Sequence, residues 1–149
     1  MQALNLPYYE FRMENRDGKT MIFDEIRRKF LVCTPEEWVR QNLIKYFIQE
    51  KKIPAGMIAL EKEIRVHGIQ RRYDAMVHTK NGLPLMLVEC KAPGITIKQE
   101  VFQQIAEYNI AFAVPYLFVS NGLRHYVCHI NPENREINFL KELPAYEKL

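Results

Sequence analysis

The chain has 149 residues and a net charge of +3, a length suited to one domain with a real core. Its 48% hydrophobic and 26% charged residues are the composition of an ordinary soluble globular protein, and no apolar stretch reaches transmembrane length. So mild a positive charge permits a nucleic-acid partner without demanding one.

Residues 1–19 are mixed and turn-rich, with Pro7 and Asp17-Gly18, and read as an irregular arm. Short strands are expected at Met21–Phe23 and Lys29–Cys33. Thr34-Pro35-Glu36-Glu37 has the form of a helix start: threonine as cap, proline at the first helical position, glutamate three residues after the cap. Val39, Leu43, Tyr46 and Phe47 recur at helical spacing, so the helix should run to about Lys51, and Pro54-Ala55-Gly56 ends it. Strand character follows at Met57–Val66, Gln70–His78 and Leu85–Cys90. A second helix is expected over Ile97–Ala113, with Val101, Ile105, Ala106 and Phe112 as its apolar stripe. Tyr116–Ser120 and Arg124–Ile130 form a hairpin about Asn121-Gly122, and residues 132–149 read as a polar, peripheral tail. Helix, three strands, helix and two strands, after the short opening strands, predict a single domain of α/β or α+β class: a mixed sheet with helices packed against it.

Asn81-Gly82 is a strong hairpin signal. With those two residues as the loop, strand partners are positions whose numbers sum to 163, so Asp74 faces Glu89 and Arg72 faces Lys91. Opposed pairs share a face with Cβ atoms roughly 4.5–5.5 Å apart. Two carboxylates there repel unless a divalent cation lies between them. Glu89 and Lys91, two apart on one strand, share that face while Cys90 points away. Two carboxylates and a lysine are tools for cutting a phosphodiester: the acids hold Mg²⁺ and the lysine supplies positive charge beside the attacking water. Cross-strand ion pairs of Glu89 with Arg72, and of Asp74 with Arg72 or Lys91, explain the same spacing equally well. Of the local basic clusters, Arg27-Arg28-Lys29 and Lys51-Lys52 read as solvated surface. Arg71-Arg72, on the strand of Asp74, suits a phosphate contact.

Asp74…Glu89-Cys90-Lys91, preceded by the helix with Glu36-Glu37-Trp38-Val39-Arg40-Gln41, resembles the PD-(D/E)xK nuclease superfamily, and within it the N-terminal nuclease domain of type I restriction enzyme R subunits. Gln104-Ile105-Ala106-Glu107-Tyr108 matches that domain's Q-x-x-x-Y motif; Val88-Glu89-Cys90-Lys91-Ala92-Pro93 and Val119-Ser120-Asn121-Gly122 share its local wording. The likeness covers roughly residues 20–131. It implies a restriction-endonuclease-like mixed sheet flanked by helices, and Mg²⁺- or Mn²⁺-dependent hydrolysis of DNA, endonucleolytic rather than exonucleolytic. Asp74 and Glu89 are then metal ligands and Lys91 the catalytic lysine. Glu37, with Glu36 as the alternative, is the helix acid that completes the metal shell or orients Lys91. Gln104 and Tyr108 lie beside the active site and the DNA, and Arg72 supports them. Glu37 is also where a capping-box glutamate belongs.

The sequence departs from the family in two ways. No G-x-x-x-x-G-K-[S/T] loop is present, so no ATP-driven motor is expected, and the chain would act as a homodimer or with a separate restriction or repair partner. Tyr73 precedes Asp74 where the superfamily's name has proline. A catalytically silent DNA-binding or assembly module of the same fold is the alternative function. Cys33, Cys90 and Cys128, an odd number without C-x-x-C spacing, suit a reducing compartment, and Met1-Gln2-Ala3-Leu4-Asn5 lacks a secretory n-region, which points to the cytoplasm. His67, His78, His125 and His129 read as surface or boundary residues rather than zinc ligands.

Overall fold

A computed structural model describes residues 1–149 as nine strands in two sheets with two α-helices. The first sheet is antiparallel: β1 (Met13–Arg16), β2 (Lys19–Asp24) and β3 (Lys29–Val32). The expected irregular arm therefore contains a strand. Its signal was Asp17-Gly18, the two residues between the Arg16↔Lys19 pair, with φ of 50° and 78°; two successive positive φ values are what a tight hairpin turn requires.

Helix α1 (Pro35–Gln49) begins as expected, the Thr34 hydroxyl accepting from the Glu37 N–H at 3.1 Å. The second sheet then runs β4 (Ile58–Val66), β5 (Ile69–His78), β6 (Pro84–Cys90), β7 (Tyr116–Ser120), β8 (His125–Ile130) and β9 (Ile137–Leu140), in sequence order across the sheet. All neighbours are antiparallel except β6 and β7, which are parallel and joined by the crossover containing α2 (Gln99–Asn109). The fold is the mixed α/β architecture expected.

Alternate strand residues feed two cores. Val39, Leu43 and Phe47 of α1 pack on Ala75, Val77, Met86, Val88, Cys90, Phe118 and Val127. Phe102, Ala106 and Phe112 pack on the other face, against Leu87, Leu117, Val119 and Cys128. Val101, expected in the stripe of α2, is 42% exposed, and its neighbour Phe102 takes the buried position. The C-terminal tail is less peripheral than its polarity suggested. Ile137–Leu140 forms the edge strand β9, Leu143 is buried in the α1 core, and the Tyr146 hydroxyl donates to the His78 carbonyl at 2.8 Å.

The β5–β6 hairpin keeps the expected register by a different route. Its turn is Thr79–Gly82, with Gly82 at φ 82° and its N–H bonded to the Thr79 carbonyl. His78 therefore opposes Pro84, and an irregularity at Val77/His78 restores the pairs Val77↔Met86, Met76↔Leu87 and Ala75↔Val88.

Candidate active site

The next position beyond Ala75↔Val88 sets Asp74 opposite Glu89, where the paired ladder stops. On the other side of β5 the ladder with β4 skips Glu61, opposite Asp74, and Glu61 has a left-handed φ of 52°. Strict alternation would separate Tyr73 from Met76, yet both are buried in the core beneath α2, while Ala75 belongs to the core beneath α1. The strand's alternation breaks between them. The Asp74 carboxylate accepts the Cys90 N–H at 2.6 Å and acts on Glu36, Arg40 and Cys90, groups on the α1 side. Glu89, between Val88 and Cys90 of the α1 core, faces the other way and pairs with Arg71. The register expected from the sequence holds, but the shared face for Asp74 and Glu89 does not.

Glu37 and Glu36, the two candidates for the helix acid, are placed differently. Glu37 is 7% exposed and faces a network: it bonds Arg40 and the Gln41 amide (2.9 Å), and lies 3.6 Å from Arg27. Asp24, fully buried, joins this network through Arg27 at 2.7 Å and Gln41 at 3.1 Å. Consecutive helical residues project about 100° apart, so Glu36 points elsewhere. Partial burial, then the charge of Asp74, raise the Glu36 carboxyl above its usual range, with Lys91 and Arg40 opposing. Glu36 is therefore the helix acid that feels the charges of both Asp74 and Lys91. Lys91 lies just past β6, exposed, its backbone N–H held by the Ser120 carbonyl at 2.8 Å.

Arg72 bonds Glu61 at 2.9 Å and takes no part with Glu89. Gln104 and Tyr108 are both exposed on α2, and Tyr108 covers Arg71, whose guanidinium lies 4.8 Å from the ring centroid. The same guanidinium lies 5.3 Å from the ring of Tyr73. Its role as partner of Glu89 had no local signature, because Arg71 and Glu89 are 18 residues apart. His125 bonds Ser120 and the Asn5 carbonyl, and His78 contacts the Met57 carbonyl, as structural histidines do.

Does this donor set suit a hard divalent cation? Glu36 and Asp74 are like charges whose repulsion a cation relieves, and Mg²⁺ commonly uses one or two carboxylates and keeps its waters. Glu89, 7% exposed, already has its charge balanced by the Arg71 guanidinium. The residues fit, with Glu36 and Asp74 as the available pair and Glu89 engaged elsewhere. No group of three or more His, Cys, Asp or Glu side chains stands together where it would hold a metal by itself.

Residues 35–144 match the family described as type I restriction enzyme R protein N terminus. Among solved structures, a fragment assigned to an HsdR subunit of a type I restriction enzyme from Vibrio vulnificus YJ016 is 18% identical, with a TM-score of 0.46, over 71% of this chain and 22% of that one. This chain thus spans under a quarter of that fragment. A DUF820 protein from Anabaena variabilis, assigned as a nuclease, is 13% identical, with a TM-score of 0.44, over 92% of this chain and 80% of its own. No curated protein matches. No helix is long and apolar enough to cross a membrane.

Proposed function

The chain belongs to the family of type I restriction enzyme R protein N termini, and on that premise we propose that it hydrolyses DNA phosphodiester bonds as a Mg²⁺- or Mn²⁺-dependent endonuclease. The observation that carries the reading is the Asp74 carboxylate of β5, held by the Cys90 N–H at 2.6 Å at the end of the paired ladder, with Glu36 of α1 feeling the charges of Asp74 and of Lys91 at the end of β6. A bound cation would polarise a phosphoryl oxygen and lower the pKa of a coordinated water. Asp74 and Glu36 would hold that charge, while Glu89, on the other face, stays paired with Arg71. Asp74 is oriented by the Cys90 N–H, so one of its oxygens is fixed and the other left to bind. Lys91 sets a positive charge where the transition-state anion develops. Glu37, through Arg40, which lies within reach of the Asp74 charge, positions the site rather than ligating. No phosphate-binding ATPase loop occurs in these 149 residues, so any motor is another polypeptide's or segment's, and a homodimer or a restriction or repair partner would supply the second cut of a duplex. A reducing, cytoplasmic setting suits the three free cysteines.

Lys91→Ala tests this. In Mg²⁺ the variant should lose about 10²–10³-fold of duplex cleavage while retaining DNA affinity. Cleavage at the wild-type rate would defeat the assignment. A second reading, a silent DNA-binding or assembly module, draws on the Glu89–Arg71 pair, which withholds one carboxylate from the site. It expects DNA binding without cleavage by the wild type.

A further inference from the structure

We propose that the outer face of the β1–β2–β3 sheet binds the phosphate backbone of duplex DNA through Arg12, Arg16, Lys19 and Arg28. The inference goes beyond the nuclease reading: this sheet precedes residues 35–144, the segment that matches the family, and binding there needs neither metal nor cleavage.

Alternation along β2 divides the sheet. Ile22 and Asp24 are buried, Asp24 bonding Gln41 of α1, so Lys19, Met21 and Phe23 face outward. The register adds Glu14, Arg16, Phe30 and Val32 to that face, and Arg12, whose carbonyl accepts the Phe23 N–H, extends it. Phe23 and Phe30 meet edge-on with centroids 5.2 Å apart and belong to neither core. Guanidinium groups cover them instead. Arg12 lies 5.1 Å and 5.2 Å from the two centroids, Arg16 lies 4.9 Å from Phe30, and Arg28 lies 6.0 Å from Phe23. At such distances the rings attract the cations and hold them side by side.

The charge of this face is unbalanced. Glu14 is the one acid among these positions and pairs with Arg16, while no carboxylate forms an ion pair with Arg12, Lys19 or Arg28. Arg16 is directly opposed by Lys19, and like charges so placed destabilise a sheet unless an anion neutralises them. A row of exposed cations fits a polyanion with repeating charges, and a guanidinium fork matches two phosphate oxygens. A membrane surface would need apolar side chains free to insert, whereas Phe23 and Phe30 lie under the arginines.

Binding is read by fluorescence anisotropy of a labelled duplex in EDTA, where no metal-dependent cut intervenes, across about 50–200 mM salt. Each phosphate contact steepens the fall of log affinity with log salt by about 0.9. Arg12→Gln, Arg16→Gln and Arg28→Gln together should weaken binding about tenfold or more and flatten that slope by about 2–3. Lys80→Gln, Lys141→Gln and Lys148→Gln together remove the same charge from exposed positions of the β5–β6 turn and the C-terminal tail. They should leave the affinity within about twofold of the wild type; an equal loss there would reduce the effect to net charge and overturn the proposal. Glu14→Gln removes the acid and should tighten binding about twofold to threefold, a gain that misfolding cannot produce. If the arginine variant fails to fold, Glu14→Gln decides, and unchanged or weaker binding by it overturns the proposal. A folded arginine variant that binds as the wild type does refutes this face and leaves the nuclease reading standing. A wild type that binds phosphatidylserine vesicles through the same arginines, and no duplex, would make the face a membrane contact and overturn the proposal as well.

Discussion

Replacing Asp24 with alanine deletes a carboxylate with no solvent exposure that receives four donors: the Ile26 and Arg27 N–H groups at 2.9 Å, Arg27 Nε at 2.7 Å and the Gln41 amide at 3.1 Å. It closes the β2–β3 turn, where Arg28 is left-handed at φ 59°, and ties that turn to α1. Breaking a buried charge pair from one side costs about 3–5 kcal/mol. Arg27 keeps weaker contacts to Glu61 at 3.4 Å and Glu37 at 3.6 Å, which places the loss near the lower end, about 3 kcal/mol. Urea unfolding at pH 7 should show a midpoint lower by roughly 1–3 M with an unchanged slope. The pH dependence fixes the mechanism. Burial works to raise the Asp24 carboxyl, but the bonds from Arg27 and Gln41 outweigh it, so it titrates below the usual 3.8. A depressed folded-state pKa gives stability that is present above the unfolded value and lost as pH falls through the folded one. The gap between wild type and variant should therefore persist down to about pH 4 and narrow below it. A gap under about 1 kcal/mol at pH 7, or one that does not narrow in acid, would refute the charged-network account.

Phe47 is fully buried and meets Phe118 edge-on at 5.2 Å; Phe47→Ala should cost about 3–5 kcal/mol in the same urea assay. Gly122 sits at φ 85°, and an added Cβ would lie 2.7 Å from Leu4 Cδ2 and 3.1 Å from Val39 Cγ2. Gly122→Ala should therefore lower the melting temperature by about 3–6 °C, from roughly 1–2 kcal/mol of left-handed strain plus displacement of Leu4. Trp38, the single tryptophan, bonds the Gln2 carbonyl at 2.8 Å, so its fluorescence should report the arm's displacement.

Wherever neighbouring residues carry the instruction, the fold was legible. Thr34-Pro35 begins α1 because a hydroxyl acceptor and a residue without an N–H satisfy the first turn locally. The β5–β6 register followed from the alternation of Ala75, Val77, Met86 and Val88, which outweighed the difference in turn length. Two strands carry no such local instruction. β1 is too polar for an apolar run, and β9 lies in a charged tail; each forms because a neighbouring strand already offers unpaired N–H and C=O groups.

By itself the sequence determined the order of the two helices and the apolar strands, the mixed sheet and the placement of Asp74 opposite Glu89, since all of these rest on periodicity and on turn and cap chemistry within a few residues. Only the tertiary structure decided where the charges go. A left-handed Glu61 on the adjacent strand accompanies the break that sets Asp74 toward α1. The docking of the β2–β3 turn draws Glu37 into the Arg27–Arg40 network and leaves Glu36 beside Asp74. The packing of α2 brings Tyr108 over Arg71 and Arg71 onto Glu89. Each is a choice among partners distant in sequence, settled by which charges share a desolvated space once the layers close, and no local pattern of residues encodes that.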